Sequence, residues 1–243
     1  MKAVFISDAH LDGSDSEGYY CLSRFLDSLR GNTDELFIVG DFFDFWFAGG
    51  NGIYPSFIDI VRKLREIKES GTKISFFEGN HDFFLGDYFE QYGIMVFPDD
   101  TSIDLEGKRV FVSHGDAVDT SNTAYLALRK VLRSRLFYSF QKNMPPPALW
   151  TISKIVSRIS RASGCEPQSS NRLAAVMSAF AAGKFEEGFD AVVLGHCHTP
   201  SMERYSVNGK AKTFVILGDW ITRYSYLVYE GGEFMMKRYY CKK

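Results

Sequence analysis

A short apolar run at residues 36–39 ends at Gly40 and leads directly into two carboxylates, Asp41 and Asp44. The run has the length and the branched side chains expected of a strand that is buried on both faces. A carboxylate that follows such a strand loses hydration, which costs free energy unless a cation or hydrogen-bond donors face it. The pattern therefore predicts an α/β fold in which Asp41 faces a metal ion.

The same arrangement recurs along the chain. Strand-like runs at 3–7, 73–77, 109–112 and 191–194 each lead into a loop rich in Asp, Asn, His and Gly. The carboxyl ends of strands in open α/β sheets gather such side chains into one site. All five histidines lie in these loops, although a lone His is more often a surface or core residue. The loops supply Asp8 and His10, Asp41 and Asp44, Asn80, His81 and Asp82, His114 and Asp116, and His196 and His198.

The ligand types indicate the kind of metal and its chemistry. Carboxylate, amide and imidazole ligands without thiolate favour Mn, Fe or Zn over Ca or Mg. Seven ligating side chains exceed one coordination sphere, so the pattern predicts two ions. Two ions about 3.5–4 Å apart activate water and hold the oxygens of a phosphoryl group during in-line displacement. The sequence therefore predicts a metal-dependent hydrolase of phosphoesters or phosphoanhydrides.

A basic segment interrupts the strand pattern. Between residues 120 and 185 there are ten Lys or Arg and one acid, Glu166, although the whole chain has a net charge of −2. An amphipathic helix can be drawn with Leu149, Ile152, Val156 and Ile159 on one face and Lys154, Arg158 and Arg161 on another. We expect one α/β domain, formed by residues 1–119 and 189–243 and interrupted by a helical cap at 120–188.

Composition also bears on the compartment. No apolar stretch approaches the roughly 20 residues of a membrane span, and the first residues lack the features of a signal peptide. Cys21, Cys165, Cys197 and Cys241 show no paired spacing, so we expect reduced thiols in a cytoplasmic protein. Cys197 lies between two predicted ligands and is expected to be a small core residue.

The motif set resembles that of the calcineurin-like metallophosphoesterase superfamily: Asp8-x-His10, Gly40-Asp41-x-x-Asp44, Gly79-Asn80-His81-Asp82, His114 and Gly195-His196-x-His198. The resemblance implies a four-layer α/β/β/α sandwich with a helical cap insertion. It also implies two divalent ions, with Mn²⁺ favoured and Fe or Zn as alternatives. One ion would be held by Asp8, His10, Asp41 and His198, and the other by Asp41, Asn80, His114 and His196.

The resemblance further assigns roles around the ions. His81 would lie near the scissile phosphate, as general acid or electrostatic stabiliser of the leaving oxygen, and Asp44 would orient it. Asp82 and Asp116 are expected to be either hydrogen-bond partners of the ligands or turn residues.

Within the superfamily the chain is most similar to the UDP-2,3-diacylglucosamine hydrolases of lipid A synthesis. The matching features are Gly40-Asp-x-Phe-x-x-Trp46, Asn80-x-Asp-Phe-x-Leu-Gly86, His114-Gly-Asp116, Tyr125 with Arg129, and the insertion before Gly195. The similarity implies hydrolysis of UDP-2,3-diacylglucosamine to 2,3-diacylglucosamine 1-phosphate and UMP. The implied substrate contacts are Trp46, Asn80, His81, Asn122, Tyr125 and Arg129. The cap would take the acyl chains and contact the anionic inner face of the bacterial inner membrane.

Two positions depart from that subfamily, which usually has Arg at the position of His81 and Thr at the position of Cys197. Since His81 follows the general superfamily pattern, a phosphodiesterase or phosphatase of a soluble phosphoester or nucleotide is a second hypothesis. A third is a non-catalytic, metal-bound scaffold that binds a partner through the cap. We expect no nucleic-acid partner, because the cap is rich in apolar residues, and no obligate protein partner is evident.

Overall fold

The computed structural model describes residues 1–13, 16–46, 53–145, 148–149, 151 and 167–241. Within them the chain forms two β-sheets and the helices that cover them. The strands are β1 Lys2–Ile6, β2 Glu35–Val39, β3 Lys73–Phe77, β4 Met95–Phe97, β5 Thr101–Leu105, β6 Lys108–Ser113, β7 Ala191–Leu194, β8 Ser201–Val207, β9 Lys210–Ile216, β10 Ser225–Glu230 and β11 Glu233–Arg238. The α-helices are α1 Glu17–Leu29, α2 Ile58–Glu69, α3 Gly86–Phe89, α4 Thr123–Leu132, α5 Arg135–Lys142 and α6 Pro167–Glu186.

The first sheet has the strand order β11–β10–β1–β2–β3–β4. Strands β1 to β4 run parallel to one another, whereas β10 is antiparallel to both β1 and β11. The second sheet has the order β5–β6–β7–β9–β8, and its three central strands are parallel. Parallel neighbours place the carboxyl ends of several strands at the same edge, which is where the predicted ligands lie.

The two faces of β1 show how the layers are built. Ala3 and Phe5 point into the core between the sheets, whereas Val4 and Ile6 point to the opposite face, which α1 and α2 cover. This alternation follows from the two-residue period of a strand. On the outer face of the second sheet, α6 contributes Met177 to a third buried cluster. The predicted four-layer α/β/β/α sandwich is confirmed.

The cap region begins with two short helices. Asn122 accepts a hydrogen bond from the Tyr125 backbone N–H and caps α4, and Ser134 accepts one from Phe137 and caps α5. These side-chain caps replace the bonds that the first backbone N–H groups of a helix lack. Most of the predicted amphipathic helix that was drawn from Leu149 to Arg161 lies outside the described residues.

The sequence predicts neither β8 nor α6. β8 lies at the edge of its sheet and has exposed and half-buried residues without clean alternation, so it lacks the apolar signature of the central strands. α6 is rich in alanine, and its apolar residues do not segregate to one face, which removes the usual helical period. Although α6 lies within residues 120–188, it packs on the second sheet, and the division into core and cap stays a prediction.

The expectation of four reduced thiols is wrong for one pair. Cys21 and Cys241 form a disulfide, with their Cα atoms 5.4 Å apart and 220 residues between them in sequence. Local spacing gave no signal because the partners are far apart along the chain. Cys197 is buried in the core, as predicted, where its Sγ donates a hydrogen bond to the Ser170 carbonyl oxygen at 3.6 Å. Cys165 lies outside the described residues.

Among the described residues, none of the helices has the length and apolar character needed to cross a bilayer.

Candidate metal centre

The strand ends bring the predicted ligands into two adjacent groups. Asp8, His10 and His198 form one group and Asp41, His114 and His196 the other, with the ligating atoms of each within 4.8 Å of one another. Asp41 Oδ2 lies 3.4 Å from His114 Nε2 and 3.6 Å from His10 Nε2, so it reaches a histidine of each group. A carboxylate in this position is placed to be shared by two ions.

Asn80 completes the set of seven. Its side-chain oxygen lies 3.1 Å from His114 Nε2, beside the group that contains Asp41. The seven side chains predicted as ligands therefore lie together at one edge of the sandwich, and the ion that each would hold stays a prediction.

The backbone at this site is unusual. Five of the seven ligands have positive φ angles, a conformation that costs energy for residues other than glycine. They are Asp8 (φ 54°), His10 (φ 44°), Asp41 (φ 50°), His196 (φ 65°) and His198 (φ 58°). Such strain persists where the surroundings hold it in place, and here it coincides with the ligands. The sequence carries no signal of it.

Glycines allow the ligand loops to approach one another closely. A Cβ atom on Gly79 would lie 2.1 Å from Asp41 Oδ1 and 2.4 Å from the Asp41 backbone nitrogen. A Cβ atom on Gly40, which has a φ of +79°, would lie 2.4 Å from His114 Nδ1. All three distances are far below van der Waals contact. The glycines at these strand ends are therefore required by packing against ligands.

Asp82 holds two ligand loops together. It is fully buried, and its carboxylate accepts backbone hydrogen bonds from Asp41 (2.9 Å), Phe42 (2.7 Å), Phe43 (3.1 Å) and Gly79 (3.0 Å). Four donors on one carboxylate fix the backbone around Asp41 relative to that around Asn80. This resolves the choice left by the sequence: Asp82 is a hydrogen-bond partner of the ligand loops.

Burial and charge act against each other at the centre. Burial acts to raise the pKa of Asp41, but the imidazoles of His114 and His81 hold it well below its usual range. Burial acts to lower the pKa of His114, but the Asp41 charge raises it to about 10. Burial and the His114 charge together lower the pKa of His196 to about 4. Asp41 is therefore ionised although it is buried, and positive charge close to it stabilises the carboxylate.

Two buried atoms of the ligand set test whether it fits metal ions. Asp8 Oδ1 and His196 Nδ1 are inaccessible to solvent and make no hydrogen bond of good geometry, although His198 Nε2 lies 3.3 Å from Asp8 Oδ1. Most buried polar atoms do have a hydrogen-bond partner, and each exception calls for an explanation. These two belong to different ligand groups, and both are atoms that coordinate cations. The donor set therefore fits a pair of divalent ions.

His81 lies beside the candidate ligands, and its place near the scissile phosphate stays a prediction. Its Nδ1 donates to the Asp44 backbone carbonyl oxygen at 3.1 Å, and its ring makes an edge contact with His10, with centroids 4.8 Å apart. The Asp44 carboxylate Oδ1 is 3.7 Å from His81 Nδ1 but only 3.3 Å from His10 Nδ1. The role of Asp44 in orienting His81 stays a prediction, and the structure adds His10 as a nearer neighbour.

Three of the residues predicted to bind substrate have other contacts. Trp46 is only 3% exposed and packs against Phe43 and Phe89. Tyr125 Oη and Arg129 Nε donate to Asp116 Oδ2 at 2.8 and 2.7 Å. Their contacts with substrate stay predictions, as does that of Asn122.

Comparisons with known proteins agree with this geometry. The family described as calcineurin-like phosphoesterase matches residues 1–200. The chain is 31% identical to the UDP-2,3-diacylglucosamine hydrolase of Stenotrophomonas maltophilia strain K279a over 243 residues, 96% of each chain. It is 32% identical to the UDP-2,3-diacylglucosamine hydrolase of Neisseria meningitidis serogroup A, over 95% of each chain. The chain therefore belongs to the calcineurin-like phosphoesterase family and is a metal-dependent phosphoester hydrolase.

Proposed function

We propose that the protein hydrolyses the pyrophosphate of UDP-2,3-diacylglucosamine to 2,3-diacylglucosamine 1-phosphate and UMP. The observation that carries the proposal is the joining of the two ligand groups by Asp41, whose Oδ2 lies within 3.6 Å of a histidine of each group. The choice of substrate is supported by relatives named for this reaction, since the similarity extends over 96% of the chain and thus includes the cap.

The seven ligands would hold two divalent ions, with Mn²⁺ first and Fe or Zn as alternatives. Asp8, His10, Asp41 and His198 would hold one, and Asp41, Asn80, His114 and His196 the other. Ions bound there would supply Lewis-acid chemistry and an activated water molecule.

His81 has the position of a group that acts on the phosphate. Its Nδ1 donates to the Asp44 carbonyl, which fixes the ring and leaves Nε2 for substrate. The side chain is 17% exposed at the edge of the ligand set. As an imidazolium, His81 would donate from Nε2 to the leaving oxygen and stabilise its developing charge. Attack of water on the phosphorus that bears the uridine would break the bond to the bridging oxygen, so 2,3-diacylglucosamine 1-phosphate would depart with the proton supplied by His81 and UMP would keep the oxygen of water.

A soluble phosphodiester or nucleotide is the second candidate substrate. The specific observation in its favour is His81 itself, a general superfamily residue at the position where the lipid-specific subfamily usually has Arg. The two candidates share the metal centre and differ in what the cap contacts.

Substrate hydrolysis tests the proposal directly. Mn²⁺-loaded protein given detergent-dispersed UDP-2,3-diacylglucosamine should release UMP and 2,3-diacylglucosamine 1-phosphate in equal amounts, with a turnover of about 1–10³ s⁻¹. Removal of the metal with a chelator should abolish release. Chromatography with phosphorus detection measures both products.

The alternatives give different results in the same experiment. Cleavage of bis-p-nitrophenyl phosphate or a dinucleotide without any UMP from the lipid substrate would favour the soluble-substrate phosphodiesterase. If the Mn²⁺-loaded protein hydrolysed none of these three substrates, only the hypothesis of a non-catalytic scaffold would remain.

We also propose that the cap contacts an anionic membrane surface at the cytoplasmic face of the inner membrane. The stretch from α4 to α5 carries five Lys or Arg and no acid. Its outward side exposes large apolar side chains: Leu128, 54%; Val131, 58%; Leu136, 85%; and Phe140, 60%. Exposed apolar residues beside Lys130 and Arg135 match a surface that has both hydrocarbon and negative charge.

Vesicle binding measures this contact. The double variant Leu136→Asp/Phe140→Asp should bind phosphatidylglycerol vesicles at least about 10-fold more weakly than the wild type, since each side chain contributes about 1.5–3 kcal/mol when buried. Ile58→Asp is a matched control, because Ile58 is equally apolar and 51% exposed but lies on α2. Equal binding by the double variant and the wild type in a sedimentation assay would contradict the proposal.

A further inference from the structure

Arg133, the residue that ends α4, reaches from the cap into the loops of the metal centre. One of its terminal nitrogens donates to the backbone carbonyl oxygens of Gly79 at 2.7 Å and Glu78 at 3.2 Å. The other donates to the Pro98 carbonyl oxygen. The side chain is only 13% exposed. An arginine in this position ties a cap helix to the loops that follow β3 and β4.

The Gly79 carbonyl is part of the peptide bond that leads into Asn80. The Gly79 N–H is held by the Asp82 carboxylate at 3.0 Å, so both polar groups of Gly79 are bonded, one to the core and one to the cap. Gly79 has no side chain because Asp41 occupies the place of its Cβ. Glycine is also the residue with the most backbone freedom. Its orientation therefore depends on these two hydrogen bonds.

Charge makes the contact with the cap stronger than an ordinary turn contact. Hydrogen bonds from a guanidinium are stronger than those between neutral groups, and its planar fork can reach several acceptors at once. The carboxylates of Glu78 and Asp99 each lie 3.7 Å from Arg133 Nη1, the nitrogen that also donates to Pro98. Their negative charge balances the buried positive charge of the guanidinium. A lysine at this position would supply the positive charge but not the planar set of N–H donors that reaches several carbonyl oxygens at once.

A second arginine of α4 acts on another ligand loop. Arg129, one turn before Arg133, donates to Asp116, which lies two residues after His114. His114 and Asn80 are the two ligands whose side chains lie 3.1 Å apart. The inner face of α4 is thus attached to the backbone before Asn80, through Arg133, and to the Asp116 side chain after His114, through Arg129.

We propose that Arg133 is a positioning residue, which holds the peptide before Asn80 and so couples the seating of the cap to the geometry of the metal centre. The proposal rests on the assignment of Asn80 as a ligand. The cap then has a role in metal binding that is separate from any contact with substrate or membrane.

Hydrogen exchange of the metal-free protein gives the first test. In Arg133→Ala, exchange of the backbone amides at 79–82 should be about 10–100-fold faster than in the wild type. Lys142→Gln is the matched control, because Lys142 joins the cap to Asp87 at 3.0 Å without contacting a ligand loop. The control should leave exchange at 79–82 unchanged.

Metal binding gives the second test. Calorimetry with Mn²⁺ should show one of two binding events weakened about 10–100-fold in Arg133→Ala, with loss of the spin-coupled Mn pair in the electron paramagnetic resonance spectrum. Arg133→Lys, which keeps the charge, should fall between wild type and Arg133→Ala. Methylguanidinium should restore the affinity of Arg133→Ala, and methylammonium should not.

Several outcomes would overturn the proposal. One is wild-type exchange and Mn²⁺ affinity in Arg133→Ala, and another is an equal loss in Lys142→Gln, which would reduce Arg133 to a general contact of the cap. If the wild-type protein bound no Mn²⁺, the metal assignment would fail, and the exchange result would still decide whether Arg133 holds the loop.

Discussion

Replacing Asp41 by alanine will abolish hydrolysis, with a loss of about 10³-fold or more in turnover. Asp41 is the ligand whose carboxylate lies within 3.6 Å of a histidine of each group, so its removal affects both proposed ions. Asp82 cannot replace it, since its carboxylate accepts hydrogen bonds from four backbone N–H groups. The measurement is turnover at saturating Mn²⁺ together with the bound Mn²⁺ per chain, which should fall below two.

The fold of Asp41→Ala should survive. Asp41 follows β2, and the apolar residues of that strand remain in place between their neighbours. Circular dichroism and cooperative thermal unfolding check this. Asp59→Ala, at an exposed position on α2, serves as the control for loss of a carboxylate. Wild-type turnover in Asp41→Ala would contradict the shared-ligand assignment.

Gly79→Ala should have a comparable effect although it removes no functional group. The new methyl group would be built 2.1 Å from Asp41 Oδ1 and 2.4 Å from the Asp41 nitrogen, so one loop has to move. The movement displaces Asp41 or breaks the hydrogen bond that its Oδ1 accepts from the His81 backbone N–H. We expect turnover to fall at least about 100-fold and the free energy of unfolding to fall by about 1–3 kcal/mol. Kinetics and chemical denaturation measure the two effects.

Gly183→Ala is the matched control for this substitution. Gly183 lies in α6, and a Cβ atom added there would meet nothing within 4 Å. Alanine favours a helix over glycine, so this variant should gain up to about 1 kcal/mol of stability and keep its turnover. If Gly79→Ala kept both Mn²⁺ ions and full turnover, the loops of Gly79 and Asp41 could move apart without loss of function. That result would contradict the prediction.

The clustering of the candidate ligands could be predicted because their sequence signal is local. A run of four or five apolar residues, a glycine and an acid or histidine are all visible within one short stretch, as at Gly40 and Asp41. Because the strands run parallel, their carboxyl ends bring those stretches together at one edge of the sheet. Five such stretches in order also carry the family resemblance, which the match over residues 1–200 confirms.

The features that the sequence did not reveal depend on distant partners. Arg133 is 54 residues from Gly79, and nothing in the pattern of α4 distinguishes it from the other cap cations. The Cys21–Cys241 disulfide joins residues with no local spacing between them. α6 packs through alanine and scattered larger residues, so its burial is decided by the shape of the sheet it covers. Long-range contacts of this kind become visible only in three dimensions.

The place of β1 in its sheet determines when the protein can acquire its metal during synthesis. β1 lies between β2 and β10, with Ala3 opposite both Glu35 and Tyr229. The ribosome delivers Asp8 and His10 first, but the ligand groups to which they and Asp41 belong also need His196 and His198. Until nearly the whole chain has emerged, one edge of β1 is unpaired and neither group is complete. Contacts between such distant segments form slowly and leave apolar strands exposed. Both groups are therefore completed late in synthesis, and a metal ion that needs either complete group would be captured only after the last of these loops has formed.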